Sequence, residues 1–121
     1  MPDLAAWRLW LIAVTAEDKT KPNLATDRRH AFLRTAGVVD DDMAIADEVL
    51  MHFRADYASL IGDYNSHVGT TSIEEFRARR DALVQAAQTG MLEQLAPRSA
   101  TNLKIFILHE KSKMKVAKEV Q

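Results

Sequence analysis

The sequence predicts an all-α fold: an antiparallel bundle of about five helices with one long central helical hairpin. Three observations carry this expectation. Apolar residues recur at three-and-four spacing from Met43 to Val68 without a break, the period of an amphipathic helix rather than a strand. Helix signals stand where that period starts and stops: the acidic run Asp40-Asp41-Asp42, then Gly69, then a capping box at Ser72 and Glu75. The chain also holds only 4 Gly and 3 Pro, too few for the many turns of a β-sandwich or barrel.

From Asp3 to about Ala16 the chain reads as a helix with Asp3 as its N-cap. Leu4, Trp7, Leu11 and Val14 share one face, and Trp10 and Ile12 widen the stripe. A helix this apolar needs cover on most sides, from its own core or from a partner. Residues 17–26 form a polar linker broken by Pro22, and a short helix follows from about Asp27 to Ala36. Gly37 closes it at the position where a left-handed residue ends helices. The three aspartates then suit the positive end of the next helix dipole. Its inward positions are Met43, Ala46, Val49, Leu50, Phe53, Tyr57, Leu60, Ile61, Tyr64 and Val68. At 1.5 Å per residue this helix is roughly 40 Å long.

The capping box opens a fourth helix over 73–95, with Ile73, Phe76, Leu83, Val84, Ala87, Met91 and Leu95 inward. It stops before Pro97, because proline disfavours helical geometry in the residue ahead of it. Pro97 in turn suits the first turn of a last helix over 98–115, with Leu103, Phe106, Ile107, Glu110 and Met114 on its core side. The expected organisation is one domain, 1–121: an apolar N-terminal helix (1–16), a linker (17–26), a helical core (27–115) and a frayed tail (116–121).

Composition narrows the function classes. The 121 residues suit a single domain, and 47% hydrophobic with 27% charged residues is the mix of a globular chain. A net charge of −1 gives no global pull toward nucleic acid or membrane. With no cysteine, disulfides, thiolate chemistry and cysteine-based zinc sites are excluded. No stretch is long and apolar enough for a transmembrane helix. Met1-Pro2-Asp3 carries no positive n-region of a signal peptide, so the expected location is periplasmic if an export signal has been removed and cytoplasmic otherwise.

The charges cluster. Between Val38 and Asp63, Asp40, Asp41, Asp42, Asp47, Glu48, Asp56 and Asp63 stand against Arg54 alone, whereas from Lys104 onward Lys104, Lys111, Lys113, Lys115 and Lys118 stand against Glu110 and Glu119. Both read as solvated helix faces. The lysines lack arginine forks and interleaved aromatics, so no nucleic-acid partner is expected. Glu48, His52 and Asp56 stack at i, i+4 and i+8 on one helix face, with His109 on the last helix. Bundle metal centres use Glu-x-x-His repeated on two helices, and that motif is absent. There is no phosphate-binding glycine loop and no G-x-S-x-G elbow, so no cofactor is expected.

Two helix starts are alike: Ala36-Gly37-Val38-Val39-Asp40-Asp41-Asp42 and Leu95-Ala96-Pro97-Arg98-Ser99. Placed before long amphipathic helices, they resemble the L-T-x-x-Q-type starts of the Spy/CpxP-like periplasmic proteins, with Met43 and Ser99 where the motif has Gln, and Asp40 and Ala96 where it has Thr. The resemblance covers about Ala31 to Lys118. It implies a helical-hairpin cradle and ATP-independent client binding in the periplasm.

Apolar surface is thus in excess and catalytic sets are missing, so the expected function is a non-enzymatic helical interaction protein. Trp7, Trp10, Leu11, Tyr57 and Tyr64 are the expected partner contacts, and the simplest partner is a second copy in a homodimer. The alternative is a metal-binding or enzymatic bundle using Glu48, His52 and Asp56.

Overall fold

A computed structural model describes the fold over residues 2–16, 20–67, 69–70 and 72–120, with side chains described there except at 2, 3, 22 and 112–120. Five helices run in order: α1 (Pro2–Thr15), α2 (Ala25–Thr35), α3 (Met43–Ser66), α4 (Ile73–Gln94) and α5 (Pro97–Val120). The fold is all-helical, with no strand among the described residues. No helix among them is long and apolar enough to cross a membrane. The Asp3 cap, Glu17 to Lys19 of the linker, Val68 and Met114 lie outside the described residues or side chains.

α3 and α4 pair along their length as the long hairpin. α1 packs against all four other helices. That position explains its composition. Trp7, Trp10, Leu11 and Val14 are buried and face Leu33, Leu50, Val84, Met91, Leu103 and Ile107 within one core cluster. Thr15 is buried with them, and its hydroxyl donates to the Leu11 carbonyl at 2.7 Å, which satisfies it inside the helix.

The boundaries differ from the expected ones in three places. A 3-10 turn at Pro22–Leu24 leads straight into α2, which therefore begins at Ala25 rather than Asp27. α3 ends at Ser66, where the N–H of His67 turns back to the Tyr64 carbonyl at 3.2 Å. The backbone of α5 runs from Pro97 through Val120, past the expected end at 115; its last turns hold Ala, Lys and Glu, strong helix formers, and no Gly or Pro.

Ile61 and Ile73, expected inward, are exposed. α1 spans roughly 20 Å and α3 roughly 36 Å at 1.5 Å per residue, so α1 covers only part of the α3–α4 hairpin. Where the two helices meet, Tyr64 packs on Phe76, with ring centroids 4.8 Å apart.

The two similar helix starts lie against each other. The Ser99 hydroxyl donates to Asp42 Oδ2 at 2.6 Å and accepts from the Val39 N–H at 3.1 Å. The Ala96 N–H also points to Asp42 Oδ2 at 3.3 Å, so a buried aspartate at the start of α3 satisfies the start of α5. Gly37 sits at φ 91°, and its carbonyl accepts from the Asn102 amide at 2.9 Å. A side chain is excluded there by the neighbour as well as by the dihedral.

Candidate functional site

Every expected contact residue of α1 has a definite place, and it is not at the surface. Trp7, Trp10 and Leu11 are inside the chain's own core because α1 is the helix that the other four surround. The part of α1 left uncovered is its opposite edge. Ala5, Leu9, Ile12 and Ala16 follow at i, i+4, i+7 and i+11, which places them on one stripe. Leu9 is 46% exposed and Ile12 37%. Ala16 is exposed as well, and Ala5 is half-buried.

Beside that stripe is a cleft of about 490 Å³ between α1, α2 and α5. Ala6, Leu9, Trp10 and Ala13 line it from α1, Ala31, Phe32 and Thr35 from α2, and Phe106 and Glu110 from α5. The space exists because alanines stand where the helices meet. Arg28 secures this corner: its guanidinium donates to the Ala16 and Ala13 carbonyls at 2.6 and 3.2 Å and lies 4.8 Å from the Phe32 ring centroid. A cation is favourable at the carbonyl end of a helix, and here it also ties α2 to α1. A second, shallower cleft shares Thr35 and Phe106 and runs on to Ile105 and His109.

Tyr57 and Tyr64 are half-buried. Tyr57 packs on Phe53 of its own helix with centroids 5.5 Å apart, whereas Tyr64 packs on Phe76 and joins α3 to α4. Glu48 and His52 line a common cleft with Val49, Phe53 and Gly90, whereas Asp56 lines a different one with Ser59, Asp63 and Arg79. Among the described residues no group of three His, Cys, Asp or Glu side chains is placed to hold a metal ion.

Sequence patterning missed the cluster that α2 and α3 build together. Asp47 accepts from Arg29 Nε at 2.7 Å through one carboxylate oxygen and meets His30 Nε2 at 2.6 Å through the other. Adjacent basic residues on a helix give no such signal; only the approach of α2 to α3 does. Burial pushes the Asp47 carboxyl up, but the hydrogen bonds and charges of Arg29 and His30 outweigh it, and its pKa lies below the usual carboxylate range. A lowered folded-state pKa stabilises the fold above the unfolded value of about 3.9 and loses that contribution as pH falls through the folded value. Urea midpoints measured down an acid series are therefore expected to fall more steeply in the native chain than in Asp47→Asn. Equal slopes would remove Asp47 from the acid response. Other acidic residues of the cluster pair similarly: Asp40 with Arg34 and Asp63 with Arg79, each at 3.1 Å and exposed.

Comparison of the chain with protein-family models, with curated proteins and with solved structures finds no match.

Proposed function

We propose that the chain acts as a non-enzymatic helical interaction protein whose partner-facing surface is the outer edge of α1. The observation that carries this reading is the stripe Ala5, Leu9, Ile12 and Ala16, a small-and-aliphatic edge on a helix whose other sides are already used by the core. Such an edge lets a second helix approach closely along it. The simplest partner is a second copy, because a two-fold axis sets the stripe against itself without any further surface. The likeness of the two helix starts to those of Spy/CpxP-like proteins supports a periplasmic variant of the reading, in which the same edge holds a client.

Light scattering across a dilution series tests self-association. A dimer that dissociates on dilution is expected, and Ile12→Lys is expected to be monomeric at every concentration with an unchanged helical circular-dichroism spectrum, since Ile12 is outside the core. A native chain that is monomeric at high concentration rejects self-association.

A further inference from the structure

We propose that the outward side of α5 docks on an anionic lipid surface, lying along it rather than crossing it. The net charge of −1 hides a segregation. Pro97–Val120 holds six lysines and arginines against two glutamates, so α5 carries +4 and the rest of the chain −5. No helix among the described residues is long and apolar enough to span a bilayer, which leaves contact from one side.

The inward side of α5 is taken up by the core through Ser99, Leu103 and Ile107. Its outward side leaves Ile105 60% and Leu108 44% exposed, and Ile105 is the most exposed large hydrophobic residue among the described ones. Arg98, Thr101, Lys104 and His109 are exposed around them. No exposed residue of α5 among the described side chains is acidic: Glu110 is half-buried and lines the α1–α2–α5 cleft. The helical backbone continues to Val120, so the later positions follow by register. Lys104, Lys111, Lys115 and Lys118 stand at i, i+7, i+11 and i+14, one row about 21 Å long. Ile105, Leu108, Ser112 and Val116 occupy the neighbouring row, and Glu119 in the last turn is the one acid at a register position on this side. The lysine spacing alone reads as a solvated face. What the structure adds is uncovered aliphatic surface beside it.

Lysines flanking an aliphatic row suit a membrane interface. The apolar side chains enter between the headgroups, and the long lysine stems keep the ammonium groups at the phosphates. Each lysine at an anionic surface contributes about fivefold to partitioning. A nucleic acid would be held by arginine forks and stacked aromatics, and the exposed described residues of α5 include one arginine and no aromatic. A stable protein partner needs a matched surface of about 20–30 residues a side, which two aliphatics beside a lysine row do not supply. A bilayer needs no matched shape, only opposite charge and room for the aliphatic side chains.

Flotation with lipid vesicles tests this on the full-length chain. Mixed phosphatidylcholine–phosphatidylglycerol vesicles are expected to bind it about a hundredfold or more tighter than pure phosphatidylcholine vesicles, as a net +4 at about fivefold per charge requires. Salt raised toward about 1 M, where the Debye length is about 3 Å, is expected to release it. Lys104→Gln is expected to weaken binding to the mixed vesicles about fivefold. Lys21→Gln removes the same charge at an exposed residue outside α5 and is expected to weaken it by less than about twofold. Ile105→Ser leaves the charge unchanged and is expected to weaken binding about fivefold, because the aliphatic side chain no longer enters the lipid. All three positions are exposed, so a native circular-dichroism spectrum is expected in each variant. The proposal is overturned by equal binding to the two kinds of vesicle, by equal losses in Lys104→Gln and Lys21→Gln, by native affinity of Ile105→Ser, or by a chain that binds duplex DNA and not the mixed vesicles.

Discussion

A chain beginning at Asp18 is expected to lose cooperative thermal unfolding and most of its helical circular-dichroism signal. Its missing segment carries Trp7, Trp10, Leu11 and Val14, all buried against residues of α2, α3, α4 and α5. Burying one such side chain contributes about 1.5–3 kcal/mol. Four of them together rival the whole stability of a small domain, about 5–15 kcal/mol. The helices left behind would also face water with the seats of two tryptophans. A truncated chain that still melts in one sharp transition would show that α1 is an appendage, and the account of α1 as the central helix would fail. Single substitutions grade the same claim: Leu11→Ala, fully buried, is expected to cost about 2–5 kcal/mol in urea unfolding. Leu9→Ala, at the exposed edge, is expected to stay within about 0.5 kcal/mol.

Gly37→Ala is the second large effect expected. Gly37 has φ 91°, a conformation that L side chains rarely adopt, and an added Cβ would lie 2.5 Å from the Asn102 Cβ. The left-handed conformation alone costs about 1–2 kcal/mol, and the collision adds about 1–3 kcal/mol because both atoms sit close to backbone. Gly69 supplies the control. Its φ is 95° and nothing lies within 4 Å of the added Cβ, so Gly69→Ala is expected to show the conformational cost without the steric one. In an Asn102→Gly background, which has already lost the Asn102–Gly37 hydrogen bond and gained a helix glycine, adding Gly37→Ala is expected to cost only about what Gly69→Ala costs in the native chain. Equal destabilisation by the two single substitutions would mean that α5 yields freely at Asn102, and the close α2–α5 approach would lose its structural role.

Much of the fold was legible because its signals are local. The Ser72 hydroxyl accepts from the Glu75 N–H at 3.0 Å, the interaction that the spacing of those two residues predicts. Gly37 ends α2 in the left-handed conformation, with the Gly37 and Val38 N–H groups returning to the Arg34 and Leu33 carbonyls, both at 3.0 Å. Val84, Ala87, Met91 and Leu95 are buried as their three-and-four spacing requires, and so are Leu103 and Ile107. The candidate site was much less legible. Trp10 and Phe106 stand out as aromatics, but only their meeting with Phe32 around three alanines makes a cleft. On α1 the spacing puts Trp7, Leu11 and Val14 on one face, and they are buried, but it does not say that the core takes in Trp10 and leaves Ile12 outside.

The sequence by itself determined that the chain is helical, where four of the helices begin and end to within a few residues, and which face of α3, α4 and α5 turns inward. Those features depend on backbone hydrogen bonding and on side chains within a few residues of one another, so spacing and caps express them. The tertiary structure alone decided that α1 is the central helix, that Asp47 gathers Arg29 and His30, that Asp42 holds Ser99, and that an open cleft remains beside Trp10. Each of these rests on groups far apart in the chain. Their approach is set by how the apolar faces of the helices cover one another, and on α1 the apolar surface is wider than its one stripe, so its spacing does not say which neighbours cover the rest.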